Sequence, residues 1–445
     1  MSEMGSVREF DRERAARVAM EVISALFPTR RSITGDGNRE ALAMLRRHLP
    51  ALQTVEVPSG SAAFDWTIPP EWKIRGARLT GPDGEVVVDL EDSPLHVVGY
   101  STGVDAEMHL EELRPHLHSL PERPRAIPFR TSYYTRTWGF CLPHEKLAAL
   151  KPGRYHAWID AEHDDTGSLS YGEAVVGAGT PDVVVSAHMC HPAQANDNLS
   201  GVAVLTAVAE QIGDDGPAMR ALYLPGGIGS LAWLSRNEEE AHRIRGGLSL
   251  ACIGDDHGLT FKRTRRGDTL VDRVADLVAR DMGIELDHAG FDPYGFDERN
   301  FSSPGFDVAY GSLTRSPHGG YPEYHSSDDS IDLMDGERLA EAAEFVFRFV
   351  EVMQLNRRLV RTEPRGEPML GKRGLYGSVG GLRSRPRFES ALLWVANLAD
   401  GEHDLVDVAM RSGVPFADVV AAADALTETG VTQPAGQARS QSTSG

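Results

Sequence analysis

A buried strand that ends on a histidine, followed by an aspartate just ahead of a helix, constrains this chain more than any other stretch. The run Val183-Val184-Val185 leads into His188, and after Gly201 the apolar residues Val202, Leu205, Val208, Ala209 and Ile212 recur at helical spacing. A strand–loop–helix unit of this kind sets His188 and Asp197 at the carboxyl edge of a parallel sheet, where open α/β folds place their sites. From 153 to 355 strand-like and helix-like segments alternate, which predicts an α/β fold with a mostly parallel sheet covered by helices.

Two further strand ends offer partners of the same chemistry. Leu248 to Gly254 runs into Asp255-Asp256, and the segment Tyr321-Pro322-Glu323-Tyr324-His325 presents a histidine in a loop before an amphipathic helix. Neutral imidazole together with carboxylate suits zinc, and a bridging carboxylate such as Asp197 holds two ions about 3.5–4 Å apart.

These motifs resemble the co-catalytic zinc aminopeptidases, whose order is histidine, bridging aspartate before Asn-x-Ser-Gly, glutamate pair, aspartate and a late Tyr-His. The likeness is closer still to bacterial aminopeptidase-like proteins associated with polysaccharide and natural-product biosynthesis. It rests on Arg31 to Gly37, Phe64-Asp65-Trp66-Thr67-Ile68-Pro69, the run Ile127 to Cys141 and Tyr171-Gly172-Glu173, and it spans roughly residues 10–432. The resemblance implies His188, Asp197, Asp255 and His325 as metal ligands, with Asp256 the alternative to Asp255. It also implies a C-terminal winged helix and a small β-rich domain inserted into the peptidase-like fold.

The chain departs from that pattern at two places. Relatives carry Pro-Glu-Thr-Ile-Gly-Ser where this chain has Pro225-Gly226-Gly227-Ile228-Gly229-Ser230, and Gly320 also stands where a carboxylate is common. Glycine has no oxygen with which to bind a cation or take a proton. The expected cofactor is therefore zinc as one or two ions, the general base being one of Glu323, Glu298 and Glu173. His191 reads first as a local loop residue and only second as a ligand. Cys190 stands where related sites have an aspartate that orients the first histidine. Asp297 matches the family's Ser-Asp-His-x-x-Phe element and reads equally as a helix cap. Arg130, Tyr133, Tyr134, Trp138 and Arg315 lie in long loops that suit substrate contact.

Composition narrows the class. The 45 Lys and Arg against 65 Asp and Glu give a formal charge of −20, which disfavours binding nucleic acid or an anionic membrane through the general surface. Three cysteines are too few for a disulfide framework, and neither a signal-peptide core nor a membrane-spanning apolar run is present, so the expected compartment is the cytoplasm.

The expected domains are a discontinuous peptidase-like domain (1–54 and 151–356), the β-rich insert (55–150), a basic linker (357–385), a winged-helix-like module (386–432) and a disordered tail (433–445). The module holds two basic against eight acidic side chains, unfavourable for phosphate contacts, so protein contact and homo-oligomer formation are expected in place of nucleic-acid binding. The leading expectation is a metal-dependent hydrolase of small peptides or amides. Its alternatives are a biosynthetic amide-forming, cyclising or deacylating zinc enzyme, and a non-catalytic binding protein with a degenerate peptidase site.

Overall fold

The computed structural model describes residues 8–317, 319–375 and 386–437. His318, part of the basic segment (376–385) and the end of the expected tail (438–445) lie outside the described residues. The chain divides into two compact units, one made of Asp11–Thr269 and Leu286–Glu344, the other of Met1–Phe10, Leu270–Glu285 and Phe345–Gly445 within the described residues.

The first unit is built on an eight-stranded sheet. Its strands lie in the order Gln53–Pro58, Ser168–Val176, Met219–Leu224, Val183–His188, Gly246–Leu250, Tyr310–Thr314, Leu259–Lys262 and Leu286–Ala289. The four central strands, from Met219–Leu224 to Tyr310–Thr314, are parallel, and antiparallel pairing enters on either side of them. Val183–His188 is buried at every position, as a central parallel strand covered on both faces requires. The helix Gly201–Ile212 follows it and is buried around most of its circumference, which explains why its sequence is apolar on nearly every face. The mixed α/β class expected from the alternation is thus the observed one.

The insert is a four-stranded antiparallel sheet of Val86–Asp89, Glu71–Thr80, Arg154–Asp164 and Val104–His109, with its own core around Leu79, Val88, Phe140, Tyr155 and Ile159. Its boundaries differ from those expected. Arg154–Asp164 pairs along Glu71–Thr80, so the β-rich region runs past residue 150, and Gln53–Pro58 belongs wholly to the main sheet. The insert also reaches the sheet edge: Phe129 N donates to His325 O at 2.8 Å and Ser327 N to Ile127 O at 2.8 Å, pinning the loop that carries His325.

In the second unit the helices Pro386–Leu398, Leu405–Ser412 and Phe416–Glu428 stand with a three-stranded sheet ordered Asp400–Asp404, Arg358–Arg361, Thr432–Pro434. Two expectations are corrected here. Residues 358–361, expected in the linker, form the central strand of this sheet, and Thr432–Pro434, expected to open a disordered tail, pairs with it. The acidic residues of the module have local work. Asp404 and Asp407 cap the helix Leu405–Ser412 reciprocally, at 2.9 and 3.1 Å, and both also meet Arg273 of the helix Leu270–Met282. Gly413, at φ +68°, ends that helix. Arg280 donates to Ala409 O at 2.8 Å and Val414 O at 3.0 Å, and Asp281 accepts from Phe416 N at 2.8 Å. Among the described residues no helix is long and apolar enough to cross a membrane.

Arg280 therefore joins Leu270–Met282 to the winged-helix region through two carbonyls. Arg280→Ala is expected to weaken this unit by about 2 kcal/mol, because hydrogen bonds from a charged donor are lost and the carbonyls are left to water. Faster limited proteolysis within 386–437, with cleavage of the first unit unchanged, is the measurement that checks it.

Candidate metal centre

The site grows from strand ends that are stitched together by one loop. The chain leaves Val183–His188, turns through Ala193 at φ +45°, and enters Ala195–Ser200, where Asp197 and Asn198 depart from helical geometry. Two asparagines fix this departure. Asn198 Nδ2 donates to His188 O at 3.1 Å and Leu250 O at 2.9 Å, and its Oδ1 accepts from Cys252 N at 3.1 Å. Asn196 Oδ1 accepts from Gly254 N at 2.9 Å, while its Nδ2 donates to Asp255 at 2.7 Å. From the other side Asp329 accepts the backbone N–H groups of Asn196 and Asp197 at 2.6 and 3.0 Å, and the Tyr321 hydroxyl at 2.9 Å.

What the loop presents is Asp197, fully buried, with three imidazoles around its carboxylate. His188 Nε2 lies 2.8 Å from Oδ1, His191 Nδ1 lies 3.2 Å from Oδ2, and His325 Nε2 lies 3.0 Å from Oδ2. The last approach lacks hydrogen-bond alignment, so Asp197 Oδ2 and His325 Nε2 are left buried and unsatisfied. Closely spaced nitrogen and oxygen donors with unspent lone pairs, on ligand types that suit zinc, fit a bound cation. Their electrostatics agree. Burial works against a charged Asp197, yet His191, His188 and His325 hold its carboxyl well below the usual range. Burial also lowers His188, whereas for His191 the Asp197 and Cys190 side chains overcome burial and lift it well above the ordinary value.

The rings are held from outside. Phe129 packs edge-on against His191 and His325, Tyr324 stacks on His325 with centroids 3.9 Å apart, and Phe296 stacks on His188 at 5.1 Å. Arg31, fully buried, donates to His191 O at 2.6 Å, and burial lowers its pKa to about 9. His191 is the residue that sequence reasoning undervalued. The signal was the second histidine of His188-Met189-Cys190-His191, but its ring is turned inward by a loop that Arg31 anchors from 160 residues away.

The other expected residues divide. The tight group of ligand atoms is His188, His191 and Asp197: His325 lies outside it although its Nε2 approaches Asp197 Oδ2, and so does Asp255. Asp255 stands with Asp256 and His257, where its Oδ1 accepts from His257 and its Oδ2 from Asn196. Glu298 is fully buried against Lys262 at 2.8 Å, and Glu173 is taken by Arg220 and faces Trp233 Nε1 at 3.4 Å. Glu323 is partly exposed and lies 3.5 Å from Arg123. Arg315, expected to touch substrate, is instead enclosed: it donates to His257 O, Arg338 O and Glu341, so its charge is spent inside the fold. Arg130 bonds His118, and Trp138 stacks on His116. Tyr133 and Tyr134 do line a cleft of about 630 Å³ whose lining also includes Gly226 and Gly227. Gly226 sits at φ +52°, a conformation side chains rarely adopt, and a Cβ there would stand in contact with Cys190 Sγ at 3.4 Å, next to the cluster. At Gly320 the reverse holds, since a Cβ would meet Pro317 O at 2.7 Å.

A parallel α/β sheet with a His–Asp cluster at its carboxyl edge defines the class of zinc-aminopeptidase-like folds. The chain belongs to the family described as domain of unknown function DUF4910, whose profile matches residues 20–356, and a winged helix-turn-helix profile matches 357–434. It is 41% identical over 408 residues, 91% of this chain and 93% of the relative, to a Clostridium acetobutylicum protein with the provisional description of polysaccharide biosynthesis protein with aminopeptidase-like domain. A crystal structure from Clostridium acetobutylicum, provisionally described as a peptidase, is similar at a TM-score of 0.86 and 37% identity, covering 95% of this chain and 98% of that one. A zinc aminopeptidase from Bacillus subtilis shares the fold at a TM-score of 0.56 and 14% identity, over 77% of this chain and 95% of its own. Fold and relatives together support a peptidase-like function.

Two measurements follow from the geometry. Asn198→Ala removes three bonds to the ends of two strands and leaves buried groups unpaired, so a loss of about 3 kcal/mol in urea unfolding is expected. Burial pushes the Asp297 carboxyl up to about 7, helped by Glu298 and opposed by Ser230 and Ser186. The folded chain then holds this proton more tightly than the unfolded chain does. Stability therefore falls as pH rises from about 4 to about 7, by at most about 1.4 kcal/mol per unit. Asp297→Asn is expected to flatten that slope, read from urea midpoints at pH 5 and pH 8.

Proposed function

We propose that this chain is a cytoplasmic, zinc-dependent amide hydrolase of the aminopeptidase kind that works with a single ion. The observation that carries this reading is the convergence of His188, His191 and His325 on the buried, incompletely bonded carboxylate of Asp197. His191 supplies from a neighbouring loop the donor that Gly226 no longer does. Asp255 supports the cluster through Asn196 without joining it.

Bound there, zinc supplies Lewis-acid polarisation of an amide carbonyl and makes water acidic near neutral pH. The protein's own groups do the rest. Glu323, two residues before His325 and not enclosed as Glu298 and Glu173 are, takes the proton from water and returns it to the departing amine nitrogen. Phe129 and Tyr324 fix the rings of His191 and His325, so the donors keep their positions. The cleft beside Gly226 receives a small peptide or amide between aromatic walls that include Tyr133 and Tyr134. The winged-helix region serves protein contact, including self-association. Its helix Phe416–Glu428 carries no lysine or arginine with which to meet phosphate. Gly226 favours one rival, a binding protein that has kept the pocket and lost the chemistry.

Metal content by mass spectrometry, with the visible spectrum of the cobalt-substituted protein, separates these readings. One ion per chain is expected, falling below about a tenth of that in His188→Ala and His191→Ala as a ligand is lost. Glu323→Gln is expected to keep the ion while lowering kcat by about 10²–10⁴. Two ions in the parent would bring Asp255 back as a ligand, and none after zinc loading would leave the binding protein.

A further inference from the structure

The cleft beside the cluster has a charge pattern unlike the rest of the protein. The chain as a whole carries a formal −20, yet among the described residues lining this cleft there is no aspartate or glutamate and there are two arginines. Arg265 is neutralised by Asp307. Arg299 is exposed and makes no hydrogen bond or ion pair among the described residues, its nearest charge effect being a longer-range pull on buried Asp297. Its Nη2 lies 3.1 Å from where a Cβ of Gly227 would be, so the guanidinium rests close against that glycine.

The walls are apolar and aromatic. Trp66 and Tyr134 pair with centroids 5.8 Å apart and stay half-exposed, and Ile33, Ile228 and Phe291 face the same space. Two contacts tie the cleft to the cluster. Gly226 adjoins Cys190, and the ring of Phe296, three residues before Arg299, stacks on His188.

We propose that this cleft selects an amide whose amine portion bears an aromatic or aliphatic side chain and a carboxylate, with Arg299 as the residue that reads the carboxylate. An unpaired guanidinium beside aromatic surface offers a planar fork to a carboxylate and an apolar bed to the side chain. A free amino terminus finds no partner there, because the position nearest the cluster is Gly226 and the remaining charges are cationic. The assignment rests on the hydrolase reading and gives it a substrate class: N-acylated amino acids. In the step, water oxygen bonds to the acyl carbon, the C–N bond breaks, and a water proton passes to nitrogen, releasing a carboxylic acid and a free amino acid.

Binding tests this apart from turnover. Calorimetry on the zinc-loaded protein would compare N-acetyl-L-phenylalanine with its uncharged carboxamide and with cationic L-phenylalaninamide. The carboxylate is expected to bind at least tenfold tighter than either. Arg299→Met is expected to abolish that difference and Arg299→Glu to reverse it toward the cation, with circular dichroism unchanged because Arg299 is at the surface. Equal binding of the three ligands by the parent, no binding up to 10 mM, or an undiminished preference in Arg299→Met would overturn the proposal. Carboxylate preference without hydrolysis would uphold Arg299's role and count against the hydrolase alone.

Discussion

The structure of the site depends on one loop, Ala195–Ser200, and on the way Asn196 and Asn198 spend their amides. A strand end leaves backbone groups without a ladder partner, and two neighbouring strands end here, at His188 and at Leu250, the second followed by the loop through Cys252 and Gly254. Asn198 ties His188 O to Leu250 O and to Cys252 N, and Asn196 reaches Gly254 N. Buried backbone groups that would otherwise be unsatisfied are thereby paired, and the pairing fixes where Asp197 points. Asp329, whose carboxyl burial lifts to about 6, closes the loop from the opposite side by accepting the N–H groups of Asn196 and Asp197. The carboxylate at the centre of the cluster is thus positioned by backbone contacts made on both flanks.

Much of this was legible in the sequence because its signals are local. A fully apolar strand before His188 and a helical repeat after Gly201 define a strand–loop–helix unit wherever they occur, and the same logic reaches His325 through its loop. His191 was not legible, because the direction of its ring depends on Ala193 at φ +45° and on Arg31, far away in the chain. Arg315 misled for the opposite reason: an arginine after a strand reads as available, whereas its partners His257, Arg338 and Glu341 come from separate segments. The insert's boundary failed on a similar point. Arg154–Asp164 looks like the first strand of an α/β alternation, and only its long pairing with Glu71–Thr80 assigns it to the other sheet.

The acidic C-terminal region makes sense in the same terms. Asp404 and Asp407 are consumed by capping and by Arg273, and Asp281 by Phe416 N, so these carboxylates stabilise the unit's own helices and their contacts. Residues 358–361 show how such a module hides in sequence: a basic stretch resembling a linker is the central strand, recognisable only with both neighbours, Asp400–Asp404 and Thr432–Pro434, in place.

On the proposed reading the glycine at 226 bears on the electrostatics of the site as well as on its ligands. A centre that draws on several carboxylates neutralises its ions and leaves room for a substrate's ammonium group. In the proposed site one aspartate among three imidazoles would face a divalent ion, with the carboxylates of Asp255 and Asp329 one hydrogen bond further out, while those of Glu298 and Glu173 are balanced by Lys262 and Arg220. In a partly enclosed site, where screening is weaker than in water, charge left on such an ion would be felt in the adjoining cleft. Among the described residues lining that cleft there are Arg265 and Arg299 and no acid. On the proposed reading the glycine at 226, the inward imidazole of His191 and the unpaired guanidinium of Arg299 would act in the same direction, each favouring an anionic ligand over a cationic one. On this view the departures from the aminopeptidase pattern form one coherent change of charge preference, carried by residues that meet at the carboxyl edge of the sheet.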